Sequence, residues 1–216
     1  MKHTSILFTM LLGAATHAFA QDNQHAQHAQ HGQHADHAQH GQGQGAHPAV
    51  SHVMASSPGA EKAPYDAQFL DSMSAHHQGG VDMAKLVPER AQHSELKDKA
   101  REMIDKQTKE IHQLQTWKQE WYPNVKPAVN LRLPGMKAMD HKQLDKLTAS
   151  RGHAFDLQFL DMMIKHHQGG IAMAQDALKR ASRAQVKEQA KKIIDDQKKE
   201  QAELKKWHKE WSAGHH

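Results

Sequence analysis

Two stretches of the chain carry the side chains that could do chemistry. Phe69 to Ala84 reads FLDSMSAHHQGGVDMA and Phe159 to Ala174 reads FLDMMIKHHQGGIAMA, so a shift of 90 positions superimposes two adjacent histidines and two methionines. Imidazole beside thioether, with few inward carboxylates, is a soft-to-borderline donor set. It suits monovalent copper or silver better than magnesium, calcium or iron. The chain has 21 histidines and 11 methionines in 216 residues but no cysteine. Neither a disulfide framework nor a thiolate site can form, and a metal must be held by nitrogen, oxygen or thioether.

Helical spacing decides whether these side chains can meet. With Phe69 at zero and about 100° per residue, Met73 falls near +40°, His76 near −20°, His77 near +80°, Gly80 near +20° and Met83 near −40°. All lie on or beside the apolar stripe. On the same wheel Asp71, Gln78 and Asp82 point about 180 to 220° away, towards solvent, which argues against the Gln after the histidines as a ligand. Met163, His166, His167, Gly170 and Met173 repeat the pattern, so two His-His-Met-Met groups are expected to converge inside a bundle. Gly80 and Gly170 each cost a helix about 1 kcal/mol against alanine, which suggests room kept for a neighbouring helix or for the site itself. The bland alternative is that Met73, Met83, Met163 and Met173 are core filler. The histidines resist it better, because two adjacent pairs recur in register, each a turn from a methionine.

The elements that position these residues follow from the same repeat. Asp66 superimposes on Asp156, Gln107 on Gln197, Glu110 on Glu200, Leu114 on Leu204, Trp117 on Trp207 and Trp121 on Trp211, without a gap, so the unit is a whole structural repeat. In the first copy a three-four spacing runs from Phe69 until Pro88 stops the helix, and a second helix follows from about Ser94 to Trp121. The second copy gives helices over roughly 154–181 and 184–211. Each copy is a helical hairpin that cannot bury its stripe alone, and pairing the two closes one core. The four tryptophans read as caps at the hairpin ends, His112 as a surface residue, and Glu110 and Glu200 as either partners of the histidines or outer charges. The expected organisation is a 64–211 helical domain with repeats 64–121 and 154–211, a connector 122–153 and a short 212–216 tail. The connector carries Pro123, Pro127 and Pro134-Gly135, brings Met136 and Met139 near the bundle end, and ends in a short helix from about Asp140.

Upstream of the bundle the composition changes. Lys2 and His3 precede an apolar run from Ile6 to Ala15 that leads to Ala18-Phe19-Ala20, the pattern of a signal peptide over 1–20 with the mature chain starting at Gln21. That run is too short to span a bilayer, so a periplasmic or secreted product with no membrane attachment after cleavage is expected. Residues 21–63 are built largely from His, Gln, Ala and Gly and should not fold. His25, His28, His31, His34, His37 and His40 recur at every third position, lining one edge of a polyproline-II-like chain. They would bind divalent copper, nickel or zinc weakly and with low selectivity, unless they are only a solubilising linker. A net charge of +4, with lysines interleaved among acids, argues against nucleic acid as a partner.

The HHQG helix, the downstream Q…EI…W helix, the Pro-Gly-Met connector and the second FD…FL…M…HHQGG…MA copy together resemble the domain-of-unknown-function family 305, from about Pro64 to Trp211. That resemblance implies an all-α, ferritin-like four-helix bundle built from two helical hairpins with a long crossover connection, in an exported protein associated with periplasmic copper binding and copper or silver tolerance. By motif position it implies Met73, His76, His77, Met83, Met163, His166, His167 and Met173 as ligands, with Met136 and Met139 as additions. One departure is that relatives often carry Met four residues after the Glu of Q…EI…W, where this chain has Leu114 and Leu204.

The reading that follows is a non-catalytic protein that stores or transfers copper, exchanging it with a periplasmic copper exporter or chaperone. A ferritin-like di-metal oxidoreductase would need inward Glu-x-x-His pairs, and that pair occurs nowhere in the sequence. A stress-related interaction module whose histidines pack or sense pH is the third class.

Overall fold

The computed structural model describes residues 55–137 and 141–214. Among these the chain is all-helical: a 3-10 turn at Ala60–Lys62, then α1 (Tyr65–Ala84), α2 (Val87–Arg90), α3 (Ser94–Trp121), α4 (His141–Ala149), α5 (Gly152–Arg180) and α6 (Ala184–Ala213). The four long helices are the ones the repeat predicts. α1 pairs with α3, α5 pairs with α6, and the two hairpins meet along α1 and α5. Pro88 does not stop α1, as its position suggested. The helix ends at Ala84, and Pro88 is the second residue of the single turn of α2, where its missing N–H is not needed.

Two buried aspartates lock the hairpins together by crossed caps. Asp156, at the start of α5, accepts from the backbone N–H groups of Gln92 and His93 ahead of α3, and its Oδ2 lies 2.6 Å from His93 Nδ1. Asp66, at the start of α1, accepts from the N–H groups of Ser182 and Arg183 ahead of α6 and from the Ser182 hydroxyl. Each carboxylate thus satisfies donors that the other hairpin's second helix leaves free and sits at the positive end of that helix dipole. The tryptophans repeat the exchange. Trp117 stacks on Trp121 and Trp207 on Trp211; the His93 ring then lies 3.8 Å from that of Trp211, and the Arg183 guanidinium 4.3 Å above Trp121. Opposite ends of α3 and α6 therefore meet, and these two helices run antiparallel.

The pseudo-twofold is broken on the outside. The connector covers the far face of α1: Asp71 accepts from Ala128 N–H, Ser72 Oγ from Asn130 N–H, and Gln68 Oε1 from the Asn130 side chain. Asp82 is buried and Asp71 and Gln78 are half-buried. Their expected exposure is therefore wrong: the connector lies over Asp71, where a helical wheel cannot place it, and the Gln78 side-chain N–H donates to Asp82. On α5, by contrast, Asp161, Lys165 and Gln168 stay exposed. The connector is pinned at Gly135, whose φ of 78° favours glycine and whose Cβ would strike the Gly169 carbonyl of α5.

Two apolar clusters divide the interior. One holds Phe69, Met73, Leu114, Leu133, Met136, Met173 and Ile193; the other holds Met83, Leu96, Met103, Phe155, Phe159, Met163 and Leu204. Met73 shares a cluster with Met173 and Met83 with Met163, so α1 and α5 cross antiparallel.

Candidate metal centre

At that crossing the histidines form a polar layer between the two methionine clusters. The rings of His76 and His166 stack at 3.8 Å, and His166 Nε2 lies 2.9 Å from the His76 carbonyl. His77 and His167 are fully buried and turn outward to α3 and α6, where His77 Nε2 lies 2.9 Å from Glu110 Oε2 and His167 Nε2 2.9 Å from Glu200 Oε2. The His77 contact is the less well directed, leaving that nitrogen without an aligned hydrogen bond. Glu110 and Glu200 are thus partners of the histidines. A carboxylate on one ring nitrogen turns the other into a lone-pair donor and fixes the ring's orientation, as in metal sites generally.

Nδ1 is the atom left over in every case. His76, His77, His166 and His167 each hold Nδ1 buried with no hydrogen-bond partner. A buried polar atom without a partner costs about 1–3 kcal/mol, so four together call for a ligand. They fit a soft or borderline metal ion well. Burial, then the nearby rings of His166, His77 and His167, holds His76 well below the usual imidazole range. His166 is likewise pushed down, to about 3, by burial and by the neighbouring His167. Both rings stay neutral at physiological pH and keep their lone pairs. Burial raises the carboxyls of Glu110 and Glu200, but the contacts with His77 and Lys192, and with His167 and Lys106, outweigh it and leave both below the ordinary Glu value. Those lysines continue outward. Lys192 joins Glu110 to Asp196, and Lys106 joins Asp196 to Glu200, so α3 and α6 are bridged by an alternating chain of charge.

The thioethers are regrouped relative to the sequence expectation. Met73 and Met83 are ten residues apart on one helix, about 15 Å along its axis, and cannot share an ion. Instead Met73, a turn from His76 and His77, is joined by Met173 and Met136; Met163, a turn from His166 and His167, is joined by Met83 and Met103. Each half therefore draws on both repeats. Met103 was hidden to the sequence reading, because its counterpart is Ile193 and no motif marks it. Met139 and His25, His28, His31, His34, His37 and His40 lie outside the described residues. Among the described residues no three His, Asp or Glu side chains converge in metal-binding geometry, so a bundle site needs other donors beside imidazole, and the methionines are the nearest soft ones.

An all-α pair of helical hairpins enclosing a histidine layer between methionine clusters defines the class of protein. The chain belongs to the family Domain of unknown function (DUF305), which it matches over residues 66–208. Among solved structures it is similar to a DUF305 protein from Streptomyces coelicolor, with 28% identity, a TM-score of 0.62, and coverage of 70% of this chain and 96% of that one. It is also similar to CopM in the Cu(I)-bound form, with 34% identity, a TM-score of 0.58, and coverage of 68% and 96%. CopM has been solved in Ag-bound and Cu(II)-bound forms as well, 34% and 33% identical to this chain with TM-scores of 0.57 and 0.58, over 68% and 69% of this chain and 96% and 99% of that one. No curated protein sequence matches the chain.

Proposed function

We propose that this protein binds copper, with silver as a mimic, and sequesters or passes on the ion without transforming it. Four buried imidazole nitrogens lie without partners between two clusters of thioethers, and this observation carries the reading. Met73, His76, His77, Met173 and Met136 form one half; Met163, His166, His167, Met83 and Met103 form the other. Thioether with imidazole favours the monovalent ion. Similarity to CopM, which has been solved in Cu(I)-, Ag- and Cu(II)-bound forms, supports the same ions here.

The leader-like residues 1–20 point to export, and no helix among the described residues is long and apolar enough to cross a membrane. In that setting the histidines at 25–40 capture divalent copper, nickel or zinc loosely, the bundle holds the monovalent ion, and a copper exporter or chaperone is the exchange partner. Metal tolerance follows from lowering the free ion concentration.

The test is an anaerobic titration of the full chain with monovalent copper against a chromophoric chelator, beside a variant with Ala at His76, His77, His166 and His167. Tight binding in the parent and its loss in a variant that keeps its helical circular dichroism is the expected result. Equal binding by both would transfer the function to residues 25–40 and leave the bundle as scaffold.

A further inference from the structure

The histidines are not the only buried groups at the crossing without partners. Gln107 of α3 and Gln197 of α6 are 3% and 4% exposed, and neither the carboxamide oxygen nor the nitrogen of either has a hydrogen-bond partner. Four such atoms in repeat-related positions are unlike an ordinary core, where buried carboxamides are satisfied. Each is admitted by a glycine. A Cβ at Gly80 would lie 2.6 Å from Gln107 Oε1 and 2.9 Å from His166 Cε1, and a Cβ at Gly170 would collide with Gln197 Oε1. The two HHQGG glycines thus open the helix so that a carboxamide from the same hairpin can reach the crossing.

We propose that Gln107 and Gln197 are oxygen ligands for divalent copper, each sharing an ion with two imidazoles from different hairpins: Gln107 with His77 and His166, Gln197 with His167 and His76. Gln107 and His166 converge on the same point beside Gly80. His77 sits one turn before Gly80 and is braced by Glu110, one turn beyond Gln107 on α3. The second trio is more loosely drawn: His167 is braced by Glu200, Gln197 fills the place beside Gly170, and His76 Nε2 lies by the adjacent glycine, 3.1 Å from a Cβ at Gly169. Two imidazoles and an amide oxygen are a nitrogen-oxygen set with no thioether, which suits the divalent ion. The inference rests on the histidines being metal ligands and extends that reading: the same four imidazoles, grouped within a hairpin with methionine or across the hairpins with carboxamide, let the bundle accept either oxidation state.

The full chain and a Gln107→Leu/Gln197→Leu variant are titrated with divalent copper under electron paramagnetic resonance. Both are also titrated with monovalent copper against a chelator without oxygen, and both are melted metal-free. Residues 25–40 contribute equally to both proteins, so the difference isolates the bundle. The expected result is loss of one equivalent of divalent copper, with its spectral component, per carboxamide replaced, an unchanged affinity for monovalent copper, and a melting temperature unchanged or raised. Unchanged divalent stoichiometry overturns the proposal, and so does a folded variant that loses both ions together. A lower melting temperature with divalent binding intact would make the carboxamides structural and also overturn it. A parent that fails to bind monovalent copper sinks the proposed function, while the divalent arm still decides this one. If the double variant does not fold, Gln107→Leu and Gln197→Leu alone each remove one equivalent.

Discussion

Replacing Asp156 by alanine removes one of the two crossed caps and should be among the most destabilising single changes away from the histidines. The carboxylate is fully buried and accepts from Gln92 N–H at 3.1–3.2 Å and from His93 N–H at 3.0 Å, with His93 Nδ1 at 2.6 Å. Hydrogen bonds to a charged group contribute about 1.5–3 kcal/mol each, and part of that returns as the freed N–H groups at the start of α3 find water, so a net loss of about 3–4 kcal/mol is expected. For a chain of this size that is a fall in Tm of about 6–16 °C. Urea unfolding followed by helical circular dichroism, with and without the substitution, measures it directly. Asp66→Ala should cost a similar amount, because Ser182 N–H, Ser182 Oγ and Arg183 N–H lose the same kind of partner. The folded fraction of either variant should bind monovalent copper normally. A loss below about 1 kcal/mol, the scale of an ordinary surface cap, would refute the crossed-cap account of how the hairpins are joined.

Other substitutions probe the site itself. Glu110→Gln and Glu200→Gln remove the carboxylates that orient His77 and His167 and should weaken monovalent copper binding by about 10–100-fold each in chelator competition. Leu114→Met and Leu204→Met, which place a thioether in each methionine cluster, should strengthen that binding at a stability cost below about 1.5 kcal/mol. Acid should unfold the metal-free protein early. The folded state holds His76 and His166 neutral far below 6.5, so stability is complete above about 6.5 and is lost towards about 3 as the unfolded chain takes up protons the folded one refuses. Glu110 and Glu200, lowered in the fold, add losses of the same sign in the carboxylate range. A urea series across that window should show the fall, and Asn at His76 and His166 should flatten its upper part.

The helices and their repeat were legible because amphipathic periodicity and a gapless 90-residue shift are local signals carried by every turn. His76, His77, His166 and His167 were legible for the same reason. What could not be read was how the two copies interlock. Periodicity assigns Met73 and Met83 to one face, but only the antiparallel crossing of α1 and α5 shows that they lie in different methionine clusters. The cover over Asp71 depends on the connector, whose path has no period to read. Gln107 and Gln197 looked like ordinary members of a buried stripe; their significance lies in partners they lack, which a sequence does not display. The roles of Glu110 and Glu200 were undecided between the histidines and solvent until the hairpin angle placed them 2.9 Å from imidazole.

Copper-edge X-ray absorption on the full chain loaded anaerobically with monovalent copper bears most directly on the claim that the bundle holds the ion between imidazole and thioether. The chain has no cysteine, so any sulfur around the copper must come from methionine. A first shell of mixed sulfur and nitrogen is predicted. A shell of nitrogen alone, with no sulfur, would place the ion on histidines elsewhere and contradict the account.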